Sequence, residues 1–311
     1  MAEGRLKRTD TKKKKMKTAQ ALGSHAFGRL LPLAENPSKK MSMIKLNKGL
    51  LNALIKKNIE DVKQCLEQGA NVNCRLKERW PMAQLKRNPG YGLQNDIIIF
   101  SEGTTPLIIA SALQMEDAVR LLIEKGADVN ARNRGGITAL MEAASYSTPE
   151  ICELLIQNGA DVNARGGAGG TPLIFAAMYN NLDNCELLLS LNADLEIKNN
   201  AGDTALSEAA NVHDKGIVDF LLSKGANPWA KNNEGKTPKE MVDLDGWRRM
   251  SGLDLRELSY YSSIALSIER YEKLWMAASG SLEQAEKAIP EIIRAVRNCN
   301  PEDTERHFKG L

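Results

Sequence analysis

The most constraining feature of this chain is a short phrase that keeps returning at a fixed interval. Gly-Ala-Asp/Asn begins at Gly69, Gly126, Gly159 and Gly225, and as Asn-Ala-Asp at Asn192; the last four are 33 residues apart. The first interval is 57 residues, which is 33 plus a 24-residue insertion. A second phrase, Gly-x-Thr-Pro/Ala-Leu, keeps the same period from Gly103, Gly136, Gly169 and Gly202 and returns with Lys in place of Leu at Gly235. Two phrases in one 33-residue register describe a stack of supersecondary units, each in contact only with its neighbours. A single central core is not expected.

Each phrase has a physical role. Thr105, Thr138, Thr171, Thr204 and Thr237 precede helical runs and are expected to accept from the unpaired N–H groups there. Pro106, Pro172 and Pro238 follow at the first helical position, where a missing N–H costs nothing. Next come Leu107, Leu140, Leu173 and Leu206, and three residues later Ala110, Ala143, Ala176 and Ala209, small enough for the neighbouring helix to approach. A second helix places Leu122, Leu155, Leu188 and Leu221 inward and ends at Gly126, Gly159, Asn192 or Gly225, residues tolerant of a left-handed conformation. Each unit therefore reads as helix, turn, helix and a hairpin-like connection.

Strings such as Gly-Thr-Thr-Pro-Leu-Ile-Ile-Ala (103–110) and Glu-Lys-Gly-Ala-Asp-Val-Asn-Ala-Arg (124–132), repeated in array, resemble the ankyrin-repeat family over residues 46–245. The resemblance implies an all-α solenoid of helix-turn-helix units with finger hairpins, and binding of proteins through the fingers and the concave face of inner helices. The chain departs from the family where His usually follows the Pro-Leu pair. Ile108, Met141, Ile174 and Ser207 stand there, and packing is expected to survive because most are apolar.

The units fall at 43–75, 100–132, 133–165, 166–198 and 199–231, with a partial one from 232. The first lacks the Thr-Pro start and reads as an N-terminal cap. In the last, Lys239 replaces Leu, which suggests a solvated capping helix. Three regions are expected: a basic flexible tail at 1–42, the repeat domain at 43–245 with an inserted loop at 76–99, and a helical C-terminal capping region at 246–311. In the last, 264–278 and 282–296 are candidate helices.

Composition narrows the function. Residues 1–48 hold 13 Lys/Arg against 3 Asp/Glu, which leaves the rest of the chain at −7 within a total of +3. The run Lys12, Lys13, Lys14, Lys15 and Lys17 resembles a nuclear localisation patch, and two other uses are open to it, contact with RNA or DNA, as in a ribonucleoprotein, and contact with an anionic membrane surface. No lipidation motif or apolar anchor supports stable membrane attachment, and neither an 18-residue apolar run nor a secretory leader is seen. Five cysteines without metal-type spacing suit a reducing compartment, so a cytoplasmic or nuclear protein is expected.

Catalytic signals are weak. His213 and Asp214 are adjacent, and adjacent helical residues point apart; a turn or capping role is expected instead. Cys65, Cys152 and Cys185 fall on second-helix core positions. The Gly166–Gly170 run lacks the Gly-Lys-Ser/Thr ending of a phosphate loop and sits at a finger tip. No catalytic residue, metal site or cofactor is expected. The candidate partner-binding residues are the basic ends of the units, Arg75, Arg132, Arg165, Lys198 and Lys231, with Arg134 beside them. A positive finger row of this kind would face an acidic patch on another protein. Tyr146 and Tyr179, 33 apart, with Met178, are candidates on the inner helices, and Trp80 and Tyr91 in the insertion.

Overall fold

The structure is a computed structural model that describes residues 37–77, 80–84, 97–242 and 255–279. Helices come in pairs. α1 (Pro37–Ile55) and α2 (Ile59–Glu67) form the first unit. The next four are α3 (Pro106–Ala112) with α4 (Glu116–Glu124), α5 (Ala139–Tyr146) with α6 (Pro149–Gln157), α7 (Pro172–Met178) with α8 (Leu182–Ser190), and α9 (Ala205–Asn211) with α10 (Lys215–Ser223). α11 (Pro238–Met241) and α12 (Leu255–Ser279) follow. The inner helices α3, α5, α7, α9 and α11 stack in one row, and the outer helices α2, α4, α6, α8 and α10 in a second.

The inner helices α3, α5, α7 and α9 are seven or eight residues long, too short to persist alone in water. Two features sustain them. The threonine Oγ1 of Thr105, Thr138, Thr171 and Thr204 accepts from the backbone N–H three residues on, which satisfies one orphan donor of each helix. Thr237 does the same for α11, in a reciprocal capping box with Glu240. The second feature is burial: Leu107, Leu140, Leu173 and Leu206 are 1% exposed, and Ala110, Ala143, Ala176 and Ala209 are fully covered. Ile108, Met141, Ile174 and Ser207 are buried too, so the positions that lack His pack as apolar or small groups.

The outer helices obey the same economy of caps. Asn58, Asn181 and Asp214 accept from first-turn N–H groups of α2, α8 and α10, and Pro149 opens α6. The turn from inner to outer helix puts Lys57, Gln114, Asn180 and His213 at positive φ. The α5–α6 turn escapes this, with Ser147 extended before the Thr148-Pro149 start.

Successive fingers are joined by repeated hydrogen bonds. Tip backbones pair unit to unit: Arg134 N–H to Glu102 O, Gly167 N–H to Gly135 O, Asn200 N–H to Ala168 O and Asn233 N–H to Ala201 O, each 2.9 Å. The approach is so close that a Cβ on Gly136 would lie 2.4 Å from the Gly167 nitrogen, and Gly136 has φ +74 besides. Below the tips, Asn73, Asn130 and Asn163 each accept from a backbone N–H of the next unit and donate to a carbonyl there. Glu196 takes the fourth position and accepts from Asn227 N–H at 2.9 Å.

Three expectations change in detail. Helix α1 begins at Pro37, inside the stretch expected to be tail. The insertion is not loop throughout: β1 (Trp80–Gln84) pairs antiparallel with β2 (Ile97–Phe100), with an irregularity between Trp80 and Ala83. Leu76 and Thr104 pair at its base, so the finger is extended as a ribbon. Lys239 is not simply solvated. Its ammonium meets Glu269 at 3.3 Å and Glu272 at 3.8 Å on α12, which packs on α10 and α11 and buries Ile264 and Ile268. The expected helix 282–296 lies outside the described residues. Among those described, no helix is long and apolar enough to cross a membrane.

Leu173 sits between α5 and α9 with both neighbours packed on its helix. Leu173→Ala is expected to cost about 2–5 kcal/mol, transfer and cavity together. Equilibrium urea unfolding measures it, and a loss under about 0.5 kcal/mol, the usual surface value, is inconsistent with this packing.

Candidate interaction surface

The basic unit ends form the expected row, and the row is built from donors. Arg75 Nη1 donates to Arg132 O at 2.7 Å and to Gly103 O at 3.1 Å. Arg132 donates to Arg165 O, Arg165 Nη2 to Lys198 O at 2.9 Å, and Lys198 Nζ to Lys231 O at 2.7 Å. Each cation thus reaches one unit ahead to the carbonyl of its counterpart, and Lys231 ends the row as acceptor. Since carbonyls are neutral, the positive charge is not cancelled, and all five side chains remain exposed. Arg134, also exposed, forms an ion pair with Glu102 in the preceding finger. The row therefore has a structural duty that the spacing of the sequence did not reveal.

Tyr146 and Tyr179 come together as expected, with ring centroids 4.8 Å apart and planes tilted by 59°. Tyr146 ends α5 and Tyr179 caps α7, whereas the fingers precede the N-termini of the same helices. A helix of seven or eight residues spans about 10–12 Å. The tyrosine pair and the basic row therefore lie at opposite ends of the inner helices. Met178, partly buried, is the last residue of α7, beside Tyr179. Trp80 opens β1 opposite Phe100, while Tyr91 and Lys12, Lys13, Lys14, Lys15 and Lys17 lie outside the described residues.

Between the two ends runs a narrow open stripe. On α5 only Glu142 and Tyr146 are not buried; on α7 only Phe175 and Met178, with Tyr179 at its cap; on α9 Glu208 and Asn211, followed by exposed Val212. The equivalent residues of α3, Ile109, Ala112 and Leu113, are fully covered. The stripe is therefore open across three units and closed at the one that follows the insertion.

Glu142 was missed in the sequence, where it is one acidic residue among many in a surface helix. Glu142 keeps part of its surface in solvent, yet the packing around it removes enough water to push its carboxyl up to about 7. Glu208 is also raised by burial, although Asn199 Nδ2 donates to it at 2.9 Å and pulls the other way. The signal available was positional: Glu142 and Glu208 share the register of Ile109 and Phe175.

The other candidates for chemistry are structural. Asp214 is the N-cap of α10 and His213 holds the left-handed turn before it. Burial raises the Cys74 thiol to about 11 and Cys152 to about 12, and Cys185 further, away from the thiolate a nucleophile needs. Cys299 lies outside the described residues. The Gly166–Gly170 segment is a finger tip, and a Cβ on Gly167 would lie 2.5 Å from Gly135 O.

The Glu142 carboxyl binds its proton more tightly in the folded chain than at the ordinary carboxyl value of 4.5. Its protonated form thus favours folding at low pH, and that contribution is lost as pH rises from 4.5 through about 7. At 1.36 kcal/mol per unit the loss is on the order of 3 kcal/mol. Glu142→Gln is expected to remove this component, so the variant gains stability over wild type at pH 8 and loses the gain at pH 5. Urea unfolding at both pH values measures it; a wild type–variant difference that does not change with pH contradicts the raised proton affinity of this carboxyl.

A family model for ankyrin repeats (3 copies) matches residues 47–166 and 165–232, and no curated protein matches the chain. The matched span is more than half of the 311 residues and covers the paired helices and fingers described above. The chain belongs to the ankyrin-repeat family.

Proposed function

We propose that this protein is a non-enzymatic adaptor or scaffold that binds another protein along the concave face and fingers of its repeat array. Ankyrin repeats generally mediate protein–protein interaction. The observation that carries the reading here is the open stripe on α5, α7 and α9, which ends in the Tyr146–Tyr179 pair while nearly every other inner-helix residue is buried. Tyrosines supply large contact area at low entropic cost, as binding surfaces favour. The exposed cations Arg75, Arg132, Arg165, Lys198 and Lys231, with Arg134, would meet acidic residues of the partner. Trp80 and Tyr91, in the insertion, are further candidate contacts.

A second reading concerns the basic segment, and the observation favouring it is the +10 balance of residues 1–48 on a chain of total +3. It makes the protein an accessory subunit of a nucleic-acid-containing assembly, for example a ribonucleoprotein, held through Lys12, Lys13, Lys14, Lys15 and Lys17. The same run would serve a nuclear address, and the protein is placed in the cytoplasm or nucleus on this reading.

Two experiments separate these readings. Affinity purification with quantitative mass spectrometry, comparing wild type with Tyr146→Ala/Tyr179→Ala, should lose specific partners by about tenfold or more if the stripe binds, in line with aromatic hot spots. Equal retention of every partner removes the concave-face reading. RNA binding measured across salt should fall steeply, and deletion of residues 1–40 should abolish the slope, since phosphate contacts release counterions. A salt-independent affinity, or none, removes the second reading.

A further inference from the structure

Four Ser/Thr-Pro pairs occur in the chain: Thr105-Pro106, Thr148-Pro149, Thr171-Pro172 and Thr237-Pro238. The fold treats them differently. Thr105 and Thr171 are 2% and 1% exposed, and the hydroxyl oxygen of each caps an inner helix. Thr237 is half-buried and tied into the capping box, its hydroxyl donating to the Glu240 carboxylate at 3.0 Å. Thr148 is exposed. It precedes an outer helix, α6, and its side chain makes no cap hydrogen bond there. Its hydroxyl donates instead to the exposed Glu150 carboxylate. The backbone of this turn is distinctive too. The turns at Lys57, Gln114, Asn180 and His213 pass through a left-handed residue. Here Ser147 (φ −108, ψ 177) and Thr148 (φ −84, ψ 159) are extended, as a residue before proline prefers. Asn181 Nδ2 at 3.0 Å and Asn184 Nδ2 at 2.9 Å donate to Ser147 O and hold that shape.

We propose that Thr148 is a phosphorylation site, the substrate of a proline-directed protein kinase. Such an enzyme takes an extended segment with proline directly after the acceptor, and this turn displays that arrangement at the surface. Thr148 Oγ1 attacks the γ-phosphorus of ATP, its proton passes to the catalytic carboxylate of the kinase, and the bond to the β-phosphate oxygen breaks to release ADP. The product carries about −1.5 to −2 charge at neutral pH, placed beside Glu150 and two residues from Tyr146. The same reaction at Thr105 or Thr171 requires an inner helix to leave the stack, and a covered group reacts only in the fraction of molecules that have opened. The site goes beyond the adaptor reading and does not depend on it.

The test incubates the full chain with a purified mitogen-activated protein kinase and ATP, and mass spectrometry locates the phosphate. Thr148 should be modified faster than Thr105, Thr171 or Thr237 by about tenfold or more, the gap that local opening imposes on covered sites. Thr148→Val should abolish the fast uptake, while Thr237→Val should leave it unchanged. No phosphate on Thr148 in the folded chain, or phosphate spread evenly over the four threonines, overturns the proposal. So does fast uptake that survives Thr148→Val. The mapping in wild type needs no variant to fold. Failure here leaves the adaptor reading standing, because the loss of protein partners in Tyr146→Ala/Tyr179→Ala is measured separately.

Discussion

No unit of this protein can bury its own apolar faces. An inner helix of seven or eight residues has too few internal hydrogen bonds to offset the cost of its nucleation, and it exists because a neighbour lies on either side. Stacking is therefore the interaction on which everything else depends. It explains why Ala recurs at 110, 143, 176 and 209, where helix approaches helix. It explains too why Gly136 and Gly167 lack side chains at the finger tips, where backbones pair directly. The asparagines 73, 130 and 163 fasten the same joint from below.

The basic row shows how a repeated residue can serve stacking and surface at once. Arg75, Arg132, Arg165 and Lys198 each bridge to the next unit, yet a guanidinium or ammonium on a neutral carbonyl keeps its charge. The basic row repeats from unit to unit, whereas some inner-helix positions differ between units. In the register of Glu142 the units read Ile, Glu, Phe and Glu, and in that of Tyr146 they read Leu, Tyr, Tyr and Val. The variable positions coincide with the open stripe.

The ends of a solenoid pose a separate problem, since a terminal unit has one face without a neighbour. At the C-terminal side α12 supplies the missing cover, burying Ile264 and Ile268 and bringing Glu269 and Glu272 to Lys239. The substitution of Lys for Leu in the last repeat is thereby accounted for: at that position α12 offers the carboxylates of Glu269 and Glu272. The ribbon of β1 and β2 is a different addition, a finger lengthened without disturbing the period of the helices, because Leu76 and Thr104 still close its base.

The periodic part of the structure was legible in the sequence. Threonine caps, helix pairs, left-handed Gly and Asn, and the pairing of Tyr146 with Tyr179 all follow from local chemistry repeated at 33 residues, which maps sequence distance directly onto contact between adjacent units. What broke the period was not legible. Strand pairing of Trp80–Gln84 with Ile97–Phe100 joins segments by hydrogen bonds that no local pattern announces. The ion pairs of Lys239 depend on α12, which has lost the repeat register. The bridging of Arg165 to Lys198 O and the partial loss of water around Glu142 depend on how closely one unit lies on the next. Sequence alone determined the order and type of the units; only tertiary packing decided which charges were held and which carboxyl lost part of its water, because burial and charge pairing are properties of the neighbours.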